Sequence, residues 1–261
     1  NALLAGTIQN GGTGTLGITV NSAVGGAVTL SGNNSYSGAT TLTAGQLNIN
    51  SATAIGNSAL TLTAGILDNT SGMAVALSNN NAATLGGNIT YGGSNSLNFG
   101  TGTWNTTAGR IITLGGSTGS TLRIGALTQT VTAATTLTIN TMPGSNTIFS
   151  VGTFNPQSSG TAAVHIIGGN GGDIRITNGI QPTVAAAGMN FSNPGTITLT
   201  GTSSYTGTTT FTAGRVILDA TAGAAALAAT TAPTFAGGAF EFRGNNTGTG
   251  QTLGNTTIGS T

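Results

Sequence analysis

Residues 28–49 read VTLSGNNSYSGATTLTAGQLNI, and residues 197–218 read ITLTGTSSYTGTTTFTAGRVIL. The two segments align without a gap, 169 positions apart, with Tyr36 over Tyr205, Gly38 over Gly207 and Gly45 over Gly214. A shorter echo lies inside the first copy: TLTAGQL from Thr41 returns as TLTAGIL from Thr61, 20 residues on. Self-similarity at two scales is the mark of a chain built from stacked, similar turns.

The local pattern says what the turns are made of. Apolar and polar residues alternate in Leu97-Asn98-Phe99, Leu122-Arg123-Ile124, Ile174-Arg175-Ile176 and Phe240-Glu241-Phe242. That is the signal of half-buried strands, and Gly or Asn-Gly closes nearly every run. No window holds a 3.6-residue apolar period; the best, residues 222–229, contains Gly223. Short strands at a 20-residue period with no helix between them predict an all-β parallel β-helix, or β-solenoid, a single elongated rod over residues 1–261. A β-sandwich is the rival, but its antiparallel hairpins are not what a 20-residue echo predicts. Neighbouring turns would lie about 4.8 Å apart, giving roughly 11 to 13 turns over roughly 50 to 60 Å. Leu42, Leu47, Ile49, Leu62 and Leu67 should point inward, and Thr41, Thr43, Thr61 and Thr63 outward.

These residues also carry a family resemblance. The TLSGNNSYSGATTLTAGQLNI segment and its second copy resemble the passenger-associated transport repeat of autotransporter passengers, with copies near residues 28–60 and 196–228. Residues 85–129 resemble the spacer turns between such repeats. The resemblance implies a right-handed parallel β-helix, export from a Gram-negative-type cell and an extracellular or bacterial cell-surface location. It marks a scaffold rather than an activity. Residues 1–261 are not themselves expected to form a membrane barrel, which would read as long alternating strands with aromatic girdles.

Composition removes most other functions. Charged residues are 3% of the chain, with five Arg, no Lys and four acids, against about 25% in ordinary domains. Five scattered Arg make no phosphate-binding groove, so nucleic acid is excluded as a partner. A mean hydropathy of +0.21 argues against disorder. No apolar run approaches the roughly 20 residues of a membrane helix, so no membrane insertion by this segment is expected. With no Cys there is no disulfide framework. The start at Asn1, without Met or leader, suggests a processed or excised product.

Candidates for chemistry are few. His165 is the one imidazole, and its flanks Val164 and Ile166 place it on the outer face as a surface residue. Residues 168–173, GGNGGD, match the start of a calcium-binding nonapeptide, but as a single copy followed by Arg175. A Gly-rich turn with positive φ is the preferred reading of them, and Asp173 and Arg175 share a strand face and could pair. Asp219 and Glu241 stand about one turn apart as the best acidic pair, with Arg243 on the face of Glu241. A Ser/His/Asp set has no nucleophile elbow to place it. Rows of Thr-x-Thr suggest an ice-binding ladder, yet only 41–43 and 61–63 keep a one-turn spacing. Neither a catalytic site, nor a metal, nor a cofactor is expected; a glycan or other surface ligand has no motif behind it.

Three functions remain. The first is a structural extracellular protein, its partner a further copy of itself, stacking head to tail into a fibre or surface layer. The second is the stem of an autotransporter-like adhesin passenger. The third is a polysaccharide-acting β-helix enzyme, which the scarcity of carboxylates disfavours. A solenoid end without a polar cap exposes strand edges and core, and neither terminal sequence reads as a cap. The expected assembly contact joins Leu3, Leu4 and Ile8 of one copy to Leu253 and Ile258 of the next.

Overall fold

A computed structural model describes residues 1–131, 135–158, 164–182, 187–227, 233–244 and 257–258. Among the described residues every regular element is a strand, and every paired register is parallel. This is a parallel β-solenoid of about 9 turns. The number falls short of 11 to 13 because turns outside the repeats are longer, as between Thr136 and its partner Ile166, 30 residues on.

The chain forms two compact units: residues 1–106, 111–125 and 142–148, and residues 107–110, 126–141 and 149–261. In the first unit, one stack runs through Ala2–Leu4, Ala27–Leu30, Gln46–Ile49, Ile66–Asp68 and Ile89–Tyr91 to residues 112–114. A second runs through Ile18–Asn21, Thr40–Ala44, Leu60–Leu62, Ala83–Leu85 and Thr103–Thr106. Val75–Ala76, Leu97–Asn98 and residues 122–123 begin a third.

The registers put like on like. Val20, Leu42, Leu62 and Leu85 form one inward column, and Val28, Leu47, Leu67, Tyr91 and Leu114 another. Leu42, Leu47, Ile49, Leu62 and Leu67 are all fully buried, as the 20-residue echo requires. Thr41, Thr43, Thr61 and Thr63 face outward. Stacking of identical side chains at strand spacing removes apolar area from water on both sides of each rung, at roughly 25 cal/mol per Å².

The corners are fixed by backbone conformation and by buried polar side chains. Gly45 and Gly65 adopt φ of 78° and 97°, in the left-handed region that costs a residue with a Cβ. Asn34 accepts from the Ile8 amide at 2.8 Å and donates to the Ala54 carbonyl at 2.6 Å, linking three successive turns. Such side-chain bonds satisfy backbone groups that the ladder leaves free at a bend.

In the second unit, Thr136–Thr141, Val164–Gly169, residues 188–192, residues 209–213 and Pro233–Phe235 form one stack. Residues 174–176, 197–199 and 216–218 with Ala239–Arg243 form another. The strands Gly188–Leu199 and Thr209–Asp219 run through a corner, with register shifts between Phe191 and Thr196. An aromatic column replaces the Leu column: Phe191, Phe211 and Phe235 stack at centroid separations of 5.5 and 5.0 Å.

Candidate functional site

The two copies of the echo fold alike. Tyr36 and Tyr205 are both fully buried, and each hydroxyl meets a Thr four residues on, Thr40 at 2.7 Å and Thr209 at 2.9 Å. Thr40 continues to Ser58 at 2.7 Å, and Ser58 donates to the Ile55 carbonyl. Burial raises the Tyr36 phenol and pushes that of Tyr205 up to about 12, so both remain neutral donors. Val28 lies opposite Leu47, and Ile197 opposite Val216. Each copy is therefore one 19-residue turn whose last strand closes on its first.

Among the described residues, the first rung gathers four of the six exposed large apolar side chains. Leu3 is 68% exposed, Leu16 42% and Val24 fully exposed, with Leu4 at 38%. Among the described residues, Ala2–Leu4 pairs only with Ala27–Leu30, and Ile18–Asn21 only with Thr40–Ala44. Among the described residues no strand pairs with the outer edge of either. Ile8 is half-buried, its amide held by Asn34. Of the other expected contact residues, Ile258 lies in the strand Thr257–Ile258, paired opposite Phe235, and Leu253 lies outside the described residues.

His165 is not on the surface: it is fully buried. Its strand, Val164–Gly169, takes its phase from Ile167, so Val164 and Ile166 turn outward and the ring faces the core opposite Met189. Nδ1 meets Gln129 Oε1 at 3.3 Å, while Nε2 has no partner among the described residues. Burial lowers the pKa of the imidazole.

The glycine-rich stretch before Asp173 closes on asparagines. The Gly171 amide donates to Asn193 Oδ1, Asn193 Nδ2 donates to the Gly172 carbonyl at 2.5 Å, and the Thr141 amide donates to Asn170 Oδ1. Asp173 and Arg175 share an exposed face but do not pair; Asp173 Oδ1 accepts from the Thr196 amide at 3.3 Å. Among the described residues no three His, Cys, Asp or Glu side chains converge.

The remaining acids have structural partners. Asp68, buried, accepts from the Asn69 and Ser94 amides and from Ser94 Oγ at 2.6 Å, clamping a turn. Burial first, then the charge of Asp68, raises the phenol of Tyr91. Asp219 and Glu241 are one turn apart as expected, but the register sets Asp219 opposite Arg243 and Glu241 opposite Ile217. Glu241 pairs with Arg243 at 2.6 Å and also with Arg215, a contact the sequence did not reveal. Hydrogen bonds from Arg243 and Arg215 lower the Glu241 carboxyl, and those from Thr221 lower Asp219. These are the partners of a surface ion cluster.

The threonines make one continuous column, Thr19, Thr41, Thr61 and Thr84, longer than the sequence indicates. The neighbouring column is shorter, and its Thr43 and Thr63 hydroxyls donate to the Val20 and Leu42 carbonyls.

No curated protein and no solved structure matches the chain. The family model of the passenger-associated-transport-repeat matches residues 25–49 and 192–218, the two single turns that close on themselves. This repeat and the solenoid that carries it fit a passenger-like structural role, and the repeat suggests a cell-surface or secreted location.

Proposed function

We propose that the chain is an extracellular structural protein of the bacterial surface whose copies stack end to end into a fibre or layer. The observation that carries this reading is the first rung, where two strand edges have no strand partner among the described residues and Leu3, Leu16 and Val24 are exposed. A rung from a second copy would pair with those edges at the ladder spacing and cover the leucines. With 3% charged residues and no Lys, the chain lacks the edge charges that discourage such pairing. A head-to-tail contact builds a filament wherever its rotation does not close into a ring.

The repeat match favours a second reading, in which the chain is the stem of an adhesin passenger and further turns of the same polypeptide cover the first rung. Both readings are non-enzymatic. What supports that is the engagement of Asp68, Asp219 and Glu241 in structural contacts and the burial of His165.

Electron microscopy and light scattering of the purified chain separate the two. Stacking predicts filaments that persist in 0.5 M salt and are lost in Leu3→Asp, which puts an unpaired charge at the contact. A monodisperse monomer across a wide concentration range would overturn end-to-end assembly and leave the stem.

A further inference from the structure

Six of the nine charged side chains of this nearly uncharged chain stand on the outer face of one strand stack in the second unit. They are Asp173 and Arg175, Arg215 and Asp219, and Glu241 and Arg243, on three of its four strands. The register joins them into one patch. Arg175 lies opposite Thr198, Thr198 opposite Ile217, and Ile217 opposite Glu241, while Asp219 lies opposite Arg243.

The two sides of the patch differ. On one, Glu241 holds Arg215 and Arg243 together over Ile217, which is only 4% exposed beneath them. On the other, Arg175 has no hydrogen-bond or ion-pair partner among the described residues, and Asp173 has one long bond to a backbone amide. Both are exposed. Two residues apart on an extended strand, their side chains emerge about 7 Å from each other on one face.

The identity of the partner follows from the balance of charge. Three Arg and three acids sum to zero, so a polyanion drawn to the Arg would be repelled by the adjacent carboxylates, and a polycation the reverse. The face fits a surface of alternating sign with the same spacing. A second copy provides one: about a two-fold axis lying in the plane of the contact and perpendicular to the strand, each Asp173 meets the other copy's Arg175. Thr196 and Thr198, short and half-buried between the charged rows, let the faces approach.

We infer that two copies pair side by side through this face, Asp173 and Arg175 exchanging ion pairs across a two-fold axis. This contact is separate from end-to-end stacking and differs in its physics, since ion pairs at an exposed face are screened by salt and apolar contacts are not.

Sedimentation of the full chain carrying Leu3→Asp, which removes the end contact, tests it. The expected result is a dimer at low ionic strength whose dissociation constant rises at least tenfold by 0.5 M salt. Asp173→Arg alone, or Arg175→Asp alone, should weaken it at least tenfold by setting like charges face to face. The double exchange Asp173→Arg with Arg175→Asp should restore it, because the swapped pattern is again self-complementary. A monomer at low salt, single variants that dimerise as well as the parent, or a double exchange that rescues nothing would each overturn the pairing. Wild-type filaments stable in salt alongside any of those results would leave the end contact standing and remove only this one. Circular dichroism of each surface variant confirms that the strands are retained.

Discussion

His165 is the only side chain here whose ordinary pKa falls near neutrality, and the fold holds it in the less charged form. Its ring has a single weak contact, to Gln129, and an unpartnered Nε2. The elements packed against it, Thr136–Thr141 and Gly188–Leu199, contain no titratable residue, so no carboxylate is at hand to support an imidazolium. Because burial lowers the folded-state pKa below the 6.5 of the unfolded chain, the unfolded state binds the proton more tightly. Stability from this group is therefore complete above about pH 6.5 and falls as the pH drops toward the folded-state value. Chemical denaturation between pH 7.5 and 5 should show a falling midpoint in the wild type and a flat one in His165→Leu. Equal slopes in the two proteins would show that the acid response lies elsewhere. The sequence misled on this residue for a physical reason. Between Val164 and Ile167 two phases of alternation are available, and only the neighbouring rungs decide which one faces the core.

At the scale of the turn, the glycine corners control how closely rungs approach. Gly65 and Gly72 both have positive φ, 97° and 87°. A Cβ at Gly65 would come within 2.6 Å of the Gly45 carbonyl oxygen of the previous rung, whereas at Gly72 it meets nothing within 4 Å. Gly72→Ala should cost about 1–2 kcal/mol, the price of the backbone conformation alone. Gly65→Ala should add an overpacking term of about 1–3 kcal/mol. Equal losses in thermal or urea unfolding would mean that the rungs at this corner separate freely. The repeat made this part of the fold legible: TLTAG recurs at one-turn spacing, so Leu42 over Leu62 could be placed from residues alone. Thr84 could not, because its turn is 23 residues long and its flanks do not repeat. Nor could the contact between Arg215 and Glu241, 26 residues apart, which depends on a register set by the whole strand pair.

At the scale of the whole molecule, the strand ladders among the described residues bond successive turns, and protection should follow that order within each unit. In the first unit the amides of Leu60–Leu62 sit between Thr40–Ala44 and Ala83–Leu85, while Ala2–Leu4 has a neighbour on one side. Hydrogen exchange of the dispersed chain should therefore be fast in Ala2–Leu4 and slow in Leu60–Leu62. If copies stack through the first rung, protection of Ala2–Leu4 should rise on assembly; unchanged exchange in visible filaments would place the contact elsewhere. Composition made the broad character of the molecule readable, since a chain with so few charges must hydrate itself with Thr, Asn and Ser. It could not show that the few charges gather on one face, because their grouping arises from turns of unequal length brought into register.

That one-turn-at-a-time connectivity also governs how the protein would answer a pulling force. A strand peeled from the end of a unit takes with it only the bonds to the rung beneath, leaving the next rung intact and equally strong. Rupture would proceed as a series of similar small events, each releasing one turn of slack. For the 19-residue turns of the two repeat copies, that is about 6–7 nm of extended chain per event. Work would be absorbed at every step, giving a tether that yields gradually under load.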